Sequence, residues 1–185
     1  MKNLNEIISL ISLGIICFML ISNIESNAQV NKMSAQDLTN ESTAVFYGKC
    51  TKKRCEWNEK KSKIYTYVTI SPEEYIKGNL GSEVVIAVPG GQVGNIIYEV
   101  SETPVFTEGE DVVAFVWKNP SGRNLITGGH QGRMKIEKDS KTGKRFVTDM
   151  DDVTETTIQG QENVNKSRKV KLEEYVTKLK GYMKH

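Results

Sequence analysis

Lys63-Ile64-Tyr65-Thr66-Tyr67-Val68-Thr69-Ile70 is the stretch that decides the fold of this chain. Ile64, Thr66, Val68 and Ile70 fall on one side of an extended backbone and Tyr65, Tyr67 and Thr69 on the other. Nearly every residue is β-branched or aromatic, as a pleated, half-buried surface favours. The run predicts a strand. Upstream, residues 43–49 repeat the period of two, with Ala44, Phe46 and Gly48 opposite Val45, Tyr47 and Lys49, and the polar residues 58–61 read as the turn between the two. Downstream, Pro72 lacks a ladder donor and marks an edge or bend before residues 74–77. Residues 83–88 and 95–100 follow as strands, and 111–117, apolar almost throughout, as a central strand buried on both faces. Residues 125–127, 133–137 and 145–148 complete the meander.

Seven or eight short strands separated by turn residues imply a mainly β fold, a small OB-like antiparallel β-barrel. Two helices flank it. Ser34 and Asp37 are placed as N-cap and first-turn acid of a short helix over 35–40. Over 171–184, Leu172, Tyr175, Val176, Leu179 and Met183 recur at helical intervals and form one apolar stripe, which predicts an amphipathic helix packed on the barrel. Residues 151–168 show no period and read as a polar, turn-rich linker. The expected organisation is a signal peptide over 1–28, a barrel domain over 29–150, and linker plus helix over 151–185.

The leader rests on Lys2, an uncharged apolar run from Ile7 to Ile21, and Ser26-Asn27-Ala28, a charged end, hydrophobic middle and small residues before a cleavage site. The run is shorter than the roughly 20 residues a bilayer-spanning helix needs. Export to the periplasm or the extracellular space is therefore expected, without a stable membrane anchor. The formal net charge is only +2, and the basic clusters at Lys52-Lys53-Arg54, Lys60-Lys61 and 166–171 have glutamates beside them. These read as solvated surface rather than a nucleic-acid footprint.

Cys50 and Cys55 remain after leader removal, in a compartment where disulfides persist. On one extended strand, five steps of about 3.3 Å hold their Cα atoms well beyond the ~4.4–6.8 Å a bridge tolerates. A disulfide thus requires residues 51–54 to fold back, and the alternative is two free thiols. Metal binding is not expected, since His130 is the only histidine inside the barrel and His185 ends the chain. No nucleophile elbow or cysteine–histidine arrangement points to catalysis, and no cofactor is expected. Acid pairs at Glu73-Glu74, Glu108-Glu110 and Asp149-Asp151-Asp152 keep a hydrolase as the alternative, and strand-edge assembly into a structural envelope protein is another.

Two glycine-rich segments stand out, Pro89-Gly90-Gly91-Gln92-Val93-Gly94 and Gly128-Gly129-His130-Gln131-Gly132. Strands rather than helices follow both, so a phosphate cradle does not fit, whereas positive φ or close backbone approach does. Together with Tyr47-Gly48-Lys49, Trp57, Ile64 to Val68, Ile76-Lys77-Gly78, Pro104-Val105-Phe106 and Gly109-Glu110, they resemble a family of exported, uncharacterised bacterial proteins. That family in turn distantly resembles the OB-fold barrels of the netrin-like and tissue metalloproteinase inhibitor group. The resemblance implies a barrel that presents loops to a protein partner, with a secreted metalloprotease as one candidate. Inhibitors of that group use an N-terminal cysteine, whereas cleavage after Ala28 would leave Gln29 in front. The expected function is a non-catalytic binding module whose candidate contacts are Trp57, Tyr65, Tyr67, Gly90, Gly91, Gly94, His130, Gln131 and Gly132.

Overall fold

A computed structural model describes residues 32–154 and 166–183. The leader over 1–28 and Gln29 lie outside the described residues. The first element is helix α1, Ala35–Glu41, and its start is a capping box: Ser34 Oγ accepts from the Asp37 N–H at 3.1 Å while the Asp37 carboxylate accepts from the Ser34 N–H at 3.3 Å. Five strands then close a barrel: β1 (Ala44–Trp57), β2 (Ile64–Lys77), β3 (Val84–Pro89), β6 (Asp111–Lys118) and β7 (Asn124–Ile126). Their order is β1-β2-β3-β7-β6, and β6 returns to pair with β1. Every join is antiparallel except β3 to β7, a parallel contact at Ile86 and Asn124. The expected OB-like barrel is the fold observed.

Between β3 and β6 the chain makes a separate hairpin of β4 (Gly91–Val93) and β5 (Ile96–Tyr98). Its two-residue turn begins at Gly94 with φ of 58°, the positive φ that a type II′ hairpin turn requires at its first central position. Beyond the barrel, β8 (Arg133–Lys138), β9 (Arg145–Thr154) and β10 (Lys166–Lys171) extend the sheet outward from β6. Helix α2, Leu172–Tyr182, closes the described chain.

Alternation of side chains builds two cores that share strands. Ala44 and Phe46 of β1 and Val112, Ala114 and Val116 of β6 point into the barrel, where they meet Val68, Ile70, Val84, Ile86 and Phe106. Val45 and Tyr47 of β1 and Val113 and Phe115 of β6 point outward and are covered by Leu38 of α1 and Leu172, Tyr175, Val176 and Leu179 of α2. Both faces of β6 are thus buried, as its unbroken apolar run predicts.

The strand pattern departs from expectation at 151–168. β9 continues to Thr154 and β10 opens at Lys166, with Thr154 opposite Lys166 and Phe146 opposite Lys171. A ladder takes its hydrogen bonds from the backbone, so a polar strand leaves no hydropathy period to read. Residues 155–165 of the expected linker lie outside the described residues. β1 and β2 are also longer than the period suggested, 14 residues each. They stay paired across a register shift beside Gly48, where a Cβ would stand 2.2 Å from the Ser71 carbonyl oxygen. Pro72 lies opposite Gly48, and the strand bends there rather than ending.

Candidate functional site

β6 pairs with β1 only as far as Lys49, after which β1 runs on with β2 alone. The chain before β6 lies along the opened seam. The Cys50 N–H donates to the Glu110 carbonyl at 2.8 Å and the Gly109 N–H to the Cys50 carbonyl at 2.7 Å. One turn further, the Lys53 N–H donates to Glu108 Oε1 at 2.5 Å, and the Lys53 ammonium donates to the Phe106 carbonyl. Residues 99–106 therefore form a strap across this end of the barrel, and between strap, hairpin and strands lies a cleft of about 590 Å³.

The walls of the cleft are Ile97 and Tyr98 from the hairpin, Val100, Pro104 and Val105 from the strap, and the backbone of Gly90 and Gly91. Its floor is Val68, Val88 and Phe106, which belong to the barrel interior. The volume lies within the roughly 300–1,000 Å³ of small-ligand and side-chain pockets. Of these walls Ile97 and Val105 are 62% and 75% exposed. A second, smaller notch of about 210 Å³ sits across the strap, lined by Pro104, Trp117, Leu125 and Gly129.

The two glycine segments have different work. Gly90 and Gly91 take φ of 99° and 136° and let the chain turn against β1 and β2. A Cβ on Gly91 would stand 2.6 Å from Thr66 Oγ1 and 2.9 Å from Cys55 Sγ. The Thr66 hydroxyl fixes this corner by donating to the Gly90 carbonyl at 2.8 Å, and the Gly90 N–H donates to the Ile64 carbonyl at 2.9 Å. At the other segment, Gly129–Gly132 forms a 3₁₀ turn. Gln131 is buried there and its Oε1 accepts from the Met33 N–H at 2.9 Å, while Gly132 packs against Thr127. His130 is exposed, its Nδ1 lies 2.6 Å from Glu102 Oε2, and its N–H donates to the Glu102 carbonyl at 3.0 Å. Glu102 belongs to the strap, so the second segment reaches the cleft only by holding the strap in place.

Of the aromatic candidates, Trp57 ends β1 opposite Ile64, half-buried beside the β1–β2 turn. Tyr65 and Tyr67 stand on the outer face of β2, their centroids 6.4 Å apart, outside the cleft. Pro104-Val105-Phe106 enters the sequence reading only through the resemblance and Lys53 only as solvated surface, and neither pattern announces the strap that the structure builds from them.

Cys50 and Cys55 are free thiols on one strand, which corrects the disulfide alternative. Residues 51–54 do not fold back, because they stay paired with β2 through a single register shift between Cys50 and Lys52. Cys50 is fully buried in the barrel. Burial first, and Glu110 second, push its thiol above the ordinary value, against the opposing pull of Lys53.

The paired acids are engaged with the fold. Glu73 receives Arg145 at 2.7 Å, and Glu74 receives Lys180 at 2.7 Å and the Tyr47 hydroxyl at 2.9 Å. Glu110 pairs with Arg133 and accepts from the Thr107 N–H at 2.7 Å. The side chains of Asp149, Asp151 and Asp152 lie outside the described residues. Among the described residues, no group of three histidine, cysteine or carboxylate side chains is placed to hold a metal ion, and no helix is long and apolar enough to cross a membrane. No family model, curated protein or solved structure matches the chain.

Proposed function

We propose that this chain is an exported binding module, not an enzyme, that holds a protein partner at the cleft beneath the strap. The observation that carries the reading is the exposure of Ile97 and Val105, at 62% and 75%, in the lining of a largely apolar cavity. Large apolar side chains gathered at the lip of a pocket are the usual make-up of an interaction hot spot, since a partner that buries them removes their contact with water. The Glu102–His130 pair holds the middle of the strap and the Lys53 ammonium on the Phe106 carbonyl holds its far end, so the cleft is held ready rather than assembled on contact. Export rests on the leader reading of residues 1–28.

A secreted metalloprotease is one candidate partner. The mode of engagement differs from that of inhibitors which present an N-terminal cysteine to the catalytic zinc, because Cys50 is sealed inside the barrel. The test is affinity capture from the exported fraction with the wild-type chain beside Ile97→Asp and Val105→Asp. The expected result is a protein recovered by the wild type and lost with both variants, while their melting temperatures match the parent. Identical capture by all three chains rejects the reading.

A further inference from the structure

We propose a second interaction surface, separate from the cleft: the outer face of β1, β2 and β3 binds a carboxylate-bearing polysaccharide. Tyr65 and Tyr67 project from this face, and each carries an arginine. The guanidinium carbon of Arg54 lies 5.2 Å from the Tyr67 centroid and that of Arg123 lies 5.4 Å from the Tyr65 centroid. Cation, ring, ring and cation therefore follow one another across the barrel, from β1 through β2 to the β6–β7 turn. Pro89 of β3 lies opposite Tyr65 and borders the cleft, which marks the limit of the face, and Ala87 opposite Tyr67 is buried.

Both turns that frame the face are internally braced. Asn58 Oδ1 accepts from the N–H groups of Ser62 and Lys63 at 2.8 and 3.2 Å, and Asn119 Oδ1 accepts from the Arg123 N–H at 2.9 Å. The first turn adds the exposed Lys60, Lys61 and Lys63, and Lys52 continues the row of Arg54. Against these cations stand Glu56 and Glu59. Glu56 pairs with Arg54 at 2.7 Å, with both side chains about half exposed, a pairing that an incoming carboxylate can exchange at little cost. Among the described residues Arg123 has no carboxylate partner. Such an excess of cations on one face, in a chain whose formal net charge is +2, is complementary to a polyanion.

The chemistry of the rings selects among polyanions. Single-stranded nucleic acid binds by stacking bases on open aromatic faces. Here each ring already has a guanidinium over it, and the two rings are tilted by 37°, so neither a free stacking slot nor a parallel pair is present. A uronate needs no open ring face: its carboxylate engages the two-pronged guanidinium lying over each tyrosine, and its sugar C–H groups meet the ring edges.

The experiment is affinity electrophoresis of the full chain in gels containing polygalacturonate, pullulan as neutral polymer, or oligo(dT). Polygalacturonate should retard the wild type and pullulan should not. The double substitution Arg54→Gln, Arg123→Gln should weaken retardation at least tenfold and Tyr65→Leu severalfold. Lys169→Gln, which removes one cation on β10, should change it less than twofold, and Ile97→Asp should leave it intact, which keeps this surface distinguishable from the cleft. Absence of retardation, an equal loss with Lys169→Gln, or tighter binding of oligo(dT) than of polygalacturonate overturns the proposal.

Discussion

Single residues decide whether the ends of this barrel hold their shape. A Cβ on Gly132 would stand 1.9 Å from the Thr127 carbonyl oxygen, so Gly132→Ala forces backbone apart in a buried turn. The expected loss is about 2–4 kcal/mol, read as a lowered denaturant midpoint. The two thiols should separate cleanly by reactivity: a thiol reagent should modify the part-exposed Cys55 in the native protein and Cys50 only on unfolding, and equal native rates would contradict the burial of Cys50. At the contact of β2 with α2, hydrogen bonds from Lys180 first and Tyr47 second hold the Glu74 carboxyl below its ordinary value. A depressed carboxyl stabilises the fold above its unfolded value of about 4.3, and that contribution fades as pH falls through the lower folded one. The melting temperature of Glu74→Gln should therefore lie below wild type at pH 7, and the gap should close below about pH 4. The side chain is 42% exposed, so the gap is small. A gap that stays constant across this range would show that Glu74 acts through shape alone.

At the scale of elements, legibility followed the number of faces that touch a core. β6 was readable because both of its faces are apolar and buried, and α2 because Leu172, Tyr175, Val176 and Leu179 make a single stripe against β2, β9 and β10. The α1 start was readable from Ser34 and Asp37 because a capping box needs only neighbours in sequence. β10 was invisible because its backbone pairing asks nothing of hydropathy, and the strap because its position depends on the seam where β1 leaves β6, a property of register. Candidate contacts divide along the same line. Gly90 and Gly91 could be recognised as conformational requirements, but that they corner a cleft follows only from their approach to Cys55 of β1 and Thr66 of β2. The role of α2 gives a direct test. Leu179 is fully buried, and Leu179→Ala should cost about 2–5 kcal/mol by transfer and cavity terms. Thr177→Ala on the exposed side of the same helix should cost well under 1 kcal/mol. Comparable losses at the two positions would mean that the helix does not pack as described.

The whole molecule is organised around two strands that serve two cores. β1 and β6 send alternate side chains into the barrel and against the helices, so the barrel cannot lose its outer cover without exposing Val45, Tyr47, Val113 and Phe115. β3 and β7 serve the inner core alone and β8 and β9 the outer one, but β1 and β6 belong to both. This sharing predicts a single cooperative transition in which helix and barrel unfold together. Trp57 and Trp117 lie on barrel strands, whereas far-ultraviolet ellipticity near 222 nm follows α2 with the rest of the secondary structure. Denaturation curves from tryptophan fluorescence and from ellipticity should coincide for the wild type. They should also shift together in Leu179→Ala, because the truncation weakens a face of β1 and β6 that the barrel uses as well. An early loss of ellipticity with the fluorescence midpoint unmoved would instead mean that α2 docks on a barrel stable without it, and that the outer core is an accessory to the inner one.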